Sequence, residues 1–334
     1  MSFISKYLKH RRQIVQACMA VALGSLAVGA HAQAKYPDRP IRLQVGFAPG
    51  TGPDILARTL ARGMASQLNE QVVVENRTGA GGQIAAANVA KGAKDGYNLL
   101  LADVSAITIA PAAFTKIGYD PAKELIPLSE VAKTDFVLVV PGTSAAKDAP
   151  SFMKMAASKS GKVDFGTFGA GSPGHFGAVI LGQIGNFPLE TIHYRQTGDA
   201  VTATIAGQID GILMSTPLAM AQIKGGKVRG LATTAPQRST LLPEIATFAE
   251  QGYPKADFSA WFAVFAPAGT PEPIMKLLSE KVAASVKDPE IQKTLIEAGF
   301  SVTGTSRDEV TRMIAGDSQR WKAVVEASGF RGDN

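Results

Sequence analysis

The sequence predicts an α/β protein of two lobes, built from mainly parallel sheets and joined by two crossing strands. Short apolar strands alternate with helical stretches over most of the chain, a pattern typical of right-handed crossovers between parallel strands. The 334 residues, at roughly 150 residues per domain, suggest two domains once a leader is set aside. Because no flexible linker separates these domains, we expect strands that cross between them.

Residues 1–32 have the composition of a secretory signal peptide. Four basic residues and no acidic one stand before or beside the apolar stretch Ala17–Ala30, and Ala30-His31-Ala32 provides a small-residue cleavage site. The stretch is too short to cross about 30 Å of hydrocarbon as a helix. We therefore expect cleavage after Ala32 and an exported protein.

Removing the leader changes the charge and cysteine counts. Four of the 34 basic residues leave, so that 30 basic and 28 acidic residues remain, a net charge of +2. This balance gives little support to a nucleic-acid partner. Cys18, the only cysteine, leaves as well, which excludes a disulfide, a thiolate nucleophile and cysteine metal ligands from the mature chain.

The first elements follow in order after the leader. Apolar residues alternate over Ile41–Phe47 as in a strand, and Asp54 is the expected N-cap of a helix that carries leucine and methionine at helical spacing. The next predicted elements are the strand Val72–Val74, the turn Gly79–Gly82, the helix Gln83–Lys91 and the strand Tyr97–Ala102.

The alternation continues through the middle of the chain and ends in helices. The predicted strands are Phe136–Val140, Val163–Thr167, Thr191–Tyr194, Gly211–Met214, Val228–Ala232 and Ser259–Phe265. The predicted helices are Pro150–Ser158, His175–Ile184, Ala200–Ala206, Leu218–Lys224, Glu272–Val286, Pro289–Glu297 and Arg307–Ala327.

Two of these strands are predicted to cross between the lobes. Phe136–Val140 and Ser259–Phe265 are apolar runs followed by Pro-Gly and Pro-Ala-Gly respectively. On this interpretation lobe 1 comprises residues 33–140 and 259–334, and lobe 2 comprises residues 141–258.

Several strand-to-helix loops carry small residues that let a ligand approach the backbone. Gly50–Asp54 is one such loop, and the free N–H groups of the following helix attract an anion. Gly169–Gly174 has the spacing G-x-G-x-x-G, but Glu190 precedes its strand instead of ending it, so dinucleotide binding is not expected. We expect no cofactor and no metal, and retain Ser172 and His175 as donors at a helix start.

Other interpretations of these polar residues stay open on the sequence alone. A serine hydrolase using Ser172 and His175 is the alternative, although position 170 is Ala and the G-x-S-x-G elbow is absent. His193, in a predicted strand, fits a packed core residue better than a zinc ligand. Asp210 either lines a cleft or caps a turn.

Four segments resemble one family of binding proteins. Tyr36–Arg42, Phe47–Asp54, Val73–Gly82 and Lys94–Tyr97 are similar to signatures of the tripartite tricarboxylate transporter substrate-binding proteins, also called the Bug family. The likeness covers essentially the whole mature chain. In the loop Phe47–Asp54, Thr51 and Pro53 depart from the family's usual Gly-Gly-Gly-Thr-Asp. Because this loop is where ligand specificity would be set, membership of the family does not identify the ligand.

The resemblance implies a periplasmic protein of the two-lobed, type II binding fold that captures a small organic carboxylate between its lobes and catalyses no reaction. It also implies membrane transporter subunits as partners, and we expect a monomer. By position, the implied ligand-binding residues are Phe47, Gly50, Thr51, Asp54, Ser105, Thr167, Ser172, His175, Tyr194, Thr197, Ala200 and Asp210.

Overall fold

The structure is a computed structural model that describes residues 36–194 and 196–333. The predicted signal peptide lies outside the described residues. The fold below is that of the compact unit from Arg39 onward. None of the helices in the described ranges is long and apolar enough to cross a membrane.

The described residues contain ten strands and eleven α-helices. The strands are β1 (Ile41–Val45), β2 (Val72–Asn76), β3 (Asn98–Asp103), β4 (Leu125–Pro141), β5 (Val163–Thr167), β6 (Leu189–His193), β7 (Gly211–Ser215), β8 (Val228–Thr233), β9 (Ser259–Pro267) and β10 (Ser301–Val302). The helices are α1 (Gly52–Leu68), α2 (Gln83–Ala90), α3 (Ala110–Ala113), α4 (Pro121–Glu124), α5 (Ala149–Ser158), α6 (Pro173–Gly185), α7 (Thr197–Ile205), α8 (Thr216–Lys224), α9 (Glu272–Lys287), α10 (Pro289–Glu297) and α11 (Arg307–Ser328).

The strands form two groups that share β4. The order is β2-β1-β3-β9-β4-β7-β5-β6, with β8 and β10 also paired to β4. Residues 125–135 of β4 pair with β9, whereas residues 136–141 pair with β7 and β8. The predicted strand Phe136–Val140 is thus the second half of one 17-residue strand that passes from the first group into the second.

The sheet contains both parallel and antiparallel pairings. β1, β2 and β3 are parallel to one another, as are β5, β6 and β7. β9 and β4, however, run antiparallel to their neighbours. The alternation of strands and helices predicts parallel neighbours, but β9 arrives late in the chain and inserts between β3 and β4.

The start of α1 differs from the prediction by three residues. Thr51 is the N-cap, and Asp54 is the third residue of the helix instead of its cap. The helix begins early because Pro53 has a fixed φ that suits its first turn and lacks an N–H that would need a partner. Leu56, Leu60 and Met64 are buried, as their helical spacing predicts.

Candidate functional site

The candidate site lies at the carboxyl ends of the parallel strands. β1, β5, β6 and β7 each end a few residues before the N-terminus of a helix, namely α1, α6, α7 and α8. The first N–H groups of a helix have no partner within the helix and carry partial positive charge. In open α/β folds, ligands bind at this edge.

The loop between β1 and α1 is fixed by the buried carboxylate of Asp54. Its Oδ2 accepts hydrogen bonds from the Gly50 N–H and the Arg58 Nε, both at 2.9 Å, and its Oδ1 accepts one from Asn76 Nδ2 at 2.8 Å. Burial raises the pKa of Asp54, but the hydrogen bonds from Arg58, Asn76 and Gly50 outweigh burial and bring that pKa below its usual value. Asp54 therefore remains ionised and holds the loop to the helix.

Asn76 and Arg58 were not among the predicted site residues, although Asn76 lies within Val73–Gly82, one of the segments that carry the family resemblance. Asn76 ends β2 and donates to the Phe47 carbonyl at 2.9 Å as well as to Asp54. Arg58 donates to Asn76 Oδ1 at 3.1 Å. The signal that could have found Asn76 is its place at the carboxyl end of a strand next to β1. Both are positioning residues for the loop.

The loop presents backbone donors instead of charged side chains. Gly50 has a φ of +78°, which glycine adopts at little cost, and nothing lies within 4 Å of a Cβ placed there. Thr51 is tied to the Ala48 carbonyl through both its N–H and its hydroxyl. Among the described residues, the N–H groups of Gly52 and Asp54 have no hydrogen-bond partner. These N–H groups are suited to an anion.

Ser105 begins a π-helical turn directly after β3 and is buried. Its hydroxyl donates to Asp103 Oδ2 at 2.9 Å and its N–H to Asp103 Oδ1 at 3.1 Å. Burial raises the pKa of Asp103 to about 6, against the opposing effect of the hydrogen bonds from Ser105. Ser105 is thus placed at the expected edge, with its donors already used by Asp103.

Ser172 is the N-cap of α6, and its polar atoms serve its own loop. The hydroxyl donates to the Gly169 carbonyl at 2.8 Å and accepts from the His175 N–H at 3.2 Å. The imidazole Nδ1 of His175 accepts from the Gly171 N–H at 3.2 Å. The structure therefore contains no hydrogen bond between the Ser172 hydroxyl and the His175 ring, which the hydrolase alternative requires.

His175 lies in an aromatic cluster. Its ring centroid is 4.6 Å from that of Phe176, 4.7 Å from that of His193 and 4.9 Å from that of Phe330. Burial, together with neighbouring His193, lowers the pKa of His175 to about 4, so the ring is neutral near pH 7. Thr167 is buried and its hydroxyl lies 2.6 Å from His193 Nδ1.

The remaining predicted residues of this edge follow β6. Tyr194 continues the strand pairing through its N–H to the Thr167 carbonyl, and its side chain packs against the apolar cluster beneath α7. Thr197 is the exposed first residue of α7. Ala200 is fully buried in the same cluster, so its contribution to a site is limited to its backbone.

Asp210 is the one predicted residue that the structure places at the opposite edge. It precedes β7 and stands level with Asp164 near the start of β5, because Phe165 pairs with Gly211. Its Oδ2 accepts from Lys159 Nζ at 2.5 Å and from the Asp164 N–H at 2.7 Å. Of the two possibilities left open, this geometry favours a structural role for Asp210 over a cleft residue.

Loops and helix starts that follow the two groups of strands lie close to each other at two places. A Cβ placed on Gly52 would lie 3.9 Å from Pro217, so the N-termini of α1 and α8 are neighbours. A Cβ on Gly171 would lie 2.7 Å from the ring of Phe114, which follows α3. Thr216, whose hydroxyl donates to the Asp135 carbonyl at 3.1 Å, belongs to this region and was missed.

No group of three or more His, Asp or Glu side chains in the described part of the chain is arranged to hold a metal ion. The site consists of helix N-termini, hydroxyl groups and one buried carboxylate that orients a loop. Such an arrangement is that of a binding protein for a small anion.

Comparison with known proteins agrees with this class. Residues 56–330 match the model of the tripartite tricarboxylate transporter family receptor. The chain is 32% identical to protein BugT of Bordetella pertussis over 297 residues, which cover 89% of this chain and 91% of the relative. It is 30% identical to a protein of Pseudomonas sp. over 315 residues, covering 94% of each chain.

Solved structures show the same fold. The periplasmic binding protein BugD matches with a TM-score of 0.80 and 28% identity, covering 89% of this chain and all of that one. MatC from Rhodopseudomonas palustris, with bound malate, matches with a TM-score of 0.78 and 28% identity over 87% of this chain and all of MatC. A second R. palustris protein, with adipate, has a TM-score of 0.83 and 26% identity over 89% of this chain and all of that protein.

The chain belongs to the tripartite tricarboxylate transporter receptor family, the Bug family, and has the two-lobed fold of periplasmic binding proteins. The predictions of family and of fold class are thereby confirmed.

Proposed function

We propose that this protein is a periplasmic receptor that captures a small organic carboxylate between its two lobes and delivers it to membrane transporter subunits. The observation that supports it most is the loop that Asp54 holds at the start of α1. There the N–H groups of Gly52 and Asp54 are free, and Gly52 lies beside Pro217 at the start of α8. Relatives of the same fold bind malate and adipate.

The proposed site is composed of backbone N–H groups from both lobes. On one side it has the loop of Gly50 and Thr51 and the free N–H groups in the first turn of α1, and on the other it has the exposed start of α7 and the partly buried start of α8. Two helix N-termini contribute up to about 2 kcal/mol each in a partly buried geometry. Since micromolar binding requires about 8 kcal/mol, hydrogen bonds in a closed cleft supply the remainder.

The lobes of this proposal are residues 33–140 with 259–334, and residues 141–258. The chain passes between the two lobes in β4 and again at the start of β9, which is compatible with a hinge of two strands. We further propose that the receptor acts as a monomer without enzymatic activity and that residues 1–32 direct its export. The hydrogen bonds of Ser172 and His175, which go to their own loop, give no support to the hydrolase alternative.

A melting experiment tests the proposed ligand class. A ligand that binds only the folded protein stabilises it by about 2.7 kcal/mol at a hundred times its dissociation constant. Because each kcal/mol shifts the Tm of a domain of this size by roughly 2–4 °C, we expect clear rises with some of malate, adipate, citrate and benzoate. Adipamide, glucose and putrescine should give smaller shifts or none. A largest rise with glucose or putrescine would contradict the proposal.

A further inference from the structure

The aromatic ring of Phe114 lies between two glycines that are distant from it in sequence. Phe114 directly follows α3, Gly171 lies between β5 and α6, and Gly332 follows α11. A Cβ placed on Gly171 would lie 2.7 Å from the Cε2 atom of the ring and 2.8 Å from its Cζ atom. A Cβ placed on Gly332 would lie 2.5 Å from the Cδ1 atom. The backbone of both glycines therefore lies directly against the ring, where a larger residue would not fit.

The two glycines contact opposite edges of the ring. The Cε2 and Cδ2 atoms are on the side of Gly171, and the Cε1 and Cδ1 atoms are on the side of Gly332. A movement of the ring away from one glycine consequently brings it closer to the other. The ring of Phe330 also stands edge-on to that of Phe114, at 6.0 Å between centroids. Phe114 thus has little room to yield to pressure from the side of Gly171.

Gly332 is fixed to the segment that carries Phe114. The Gly332 N–H donates to the Ala113 carbonyl at 2.8 Å, and the Gly332 carbonyl accepts from the Thr115 N–H at 3.1 Å. The Thr115 hydroxyl donates to Asp333 Oδ1 at 3.1 Å. On the proposed division of the lobes, Phe114 and Gly332 belong to lobe 1 and Gly171 belongs to lobe 2. The contact between the ring and Gly171 is therefore a contact between the lobes.

The loop of Gly171 is joined to the start of α6 by its own hydrogen bonds. The Gly171 N–H donates to His175 Nδ1 at 3.2 Å, and the Ser172 hydroxyl donates to the Gly169 carbonyl at 2.8 Å. A displacement of Gly171 relative to Phe114 is thereby transmitted to the first turn of α6. This helix begins at the edge of the sheet that contains the candidate site.

We propose that Phe114 is a positioning residue that sets the separation of the two lobes at the start of α6. Its ring is a spacer that rests on Gly332 in lobe 1 and supports Gly171 in lobe 2. Because a ligand held between two lobes binds best at one separation, a change in the spacer changes the affinity. The effect on affinity rests on the proposed function, whereas the separation can be measured without a ligand.

Gly171→Ala tests the spacer by adding a Cβ that the ring does not accommodate. In the chain from residue 33, which contains no cysteine, Glu280→Cys and Ala157→Cys place spin labels at exposed positions on α9 and α5, one on each proposed lobe. Double electron–electron resonance measures the distance between the labels. In the ligand-free protein, we expect Gly171→Ala to shift the mean of the distance distribution away from that of the wild type.

Gly169→Ala is the matched control in the same loop. Gly169 has a φ of +104° and Gly171 one of +77°, so alanine at position 169 carries at least as much backbone strain. Nothing lies within 4 Å of a Cβ placed on Gly169. We expect the wild-type distance distribution in Gly169→Ala.

Phe114→Leu provides the rescue. Leucine lacks the Cε2 and Cζ atoms that would meet the added Cβ, while the Phe114 Cδ2 atom lies at 3.9 Å from it, an ordinary contact distance. Gly171→Ala with Phe114→Leu should therefore return to the wild-type mean distance. Phe114→Leu alone adds no backbone strain and should broaden the distribution, because the spacer is shortened. A shift of equal size in Gly169→Ala, no recovery in the double variant, or wild-type distributions in both Gly171→Ala and Phe114→Leu would overturn the proposal.

The affinity for the acid that raises the Tm most links the spacer to the ligand site. We expect this affinity to fall at least about fivefold in Gly171→Ala and to recover in the double variant, as titration calorimetry can measure. Unchanged affinity in a Gly171→Ala protein whose distance distribution has shifted would overturn the link to the ligand site. If no acid binds the wild type, the proposed function is wrong, and the ligand-free distance distributions still decide the role of Phe114.

Discussion

The side-chain amide of Asn76 lies 2.8 Å from the Oδ1 atom of Asp54 and joins the end of β2 to the first turn of α1. The same amide donates to the Phe47 carbonyl at 2.9 Å. One residue outside the loop thereby fixes both ends of it, and the loop's free N–H groups are held in place before any ligand arrives. Preorganisation of this kind reduces the ordering cost of binding.

Asn76→Ala removes both of these hydrogen bonds. We expect the affinity for the acid that stabilises the protein most to fall at least about fivefold, because the loss of a positioned hydrogen bond costs about 1 kcal/mol. Titration calorimetry measures this change. Arg77→Ala is the matched control, since the neighbouring Arg77 side chain is 44% exposed and pairs with Glu75. Equal affinities of Asn76→Ala and the wild type would contradict the role of the amide.

Gly50→Ala tests the loop through its backbone. No clash is expected, since nothing lies within 4 Å of the added Cβ, but a φ of +78° costs a non-glycine residue about 1–2 kcal/mol. Relief of this strain moves the N–H of residue 50 away from the Asp54 carboxylate. We therefore expect the affinity for the acid ligand to fall about tenfold.

The control for Gly50→Ala is Gly161→Ala. Gly161 has a φ of +106°, is exposed and has equally open space, but it lies between α5 and β5 at the opposite edge of the sheet. We expect a similar loss of Tm in the two variants and unchanged ligand affinity in Gly161→Ala. A similar loss of affinity in both variants would show a general effect of strain and not a site at Gly50.

Ser172→Ala separates a helix cap from a nucleophile. The substitution removes the acceptor for the His175 N–H, and loss of an N-cap costs about 1 kcal/mol, or roughly 2–4 °C in Tm. The exposed Ser160→Ala should melt as the wild type does. Neither the wild type nor Ser172→Ala should hydrolyse p-nitrophenyl acetate above the rate in buffer. Hydrolysis by the wild type that Ser172→Ala abolishes would support an enzyme instead.

The titration of Asp103 should make the free energy of unfolding of this protein depend on pH. Burial raises the pKa of its carboxyl to about 6 in the folded protein, above its ordinary value of 3.8, so the folded state binds the proton more tightly than the unfolded state. The contribution of Asp103 to stability therefore increases as pH falls from about 6 towards 4 and is absent at pH 8.

Comparison with Asp103→Asn isolates this group from the other titrating residues, among them His175, whose lowered pKa acts in the opposite direction. The unfolding free energy of the wild type relative to Asp103→Asn should rise by about 2 kcal/mol between pH 7.5 and 4.5. Urea unfolding at each pH measures it. A difference that does not depend on pH would show that Asp103 titrates normally.

Much of the fold could be predicted from the sequence because its periodic patterns are strong. Val163–Thr167 and Pro289–Glu297 have the predicted bounds, and most other predicted elements differ by one to three residues. The first half of β4 was missed, since Leu125–Asp135 includes the polar residues Ser129, Glu130 and Lys133 and does not resemble an apolar strand. The antiparallel insertion of β9 depends on long-range pairing that local patterns do not contain.

The candidate site was predicted less completely than the fold. Loop positions such as Gly50 follow from chain order, because carboxyl ends of parallel strands meet at one edge. The orientation of a side chain does not follow from chain order. His175 follows the glycine-rich loop in sequence, yet its ring belongs to the aromatic cluster of Phe330, which is distant in the chain. Asp210 precedes a strand instead of following one, and it pairs with Lys159.

The distance across the proposed cleft is the most direct test that a carboxylate is captured between two lobes. The mature chain is expected to lack cysteine, so Ile55→Cys and Thr202→Cys, both at exposed positions on α1 and α7, allow a single pair of spin labels. Double electron–electron resonance spectroscopy measures the distance between the two labels. With the acid that raises the Tm most, the distribution of this distance should be shorter and narrower than without ligand. Adipamide should not change it. An unchanged distribution at saturating acid, or the same change with adipamide, would contradict the account.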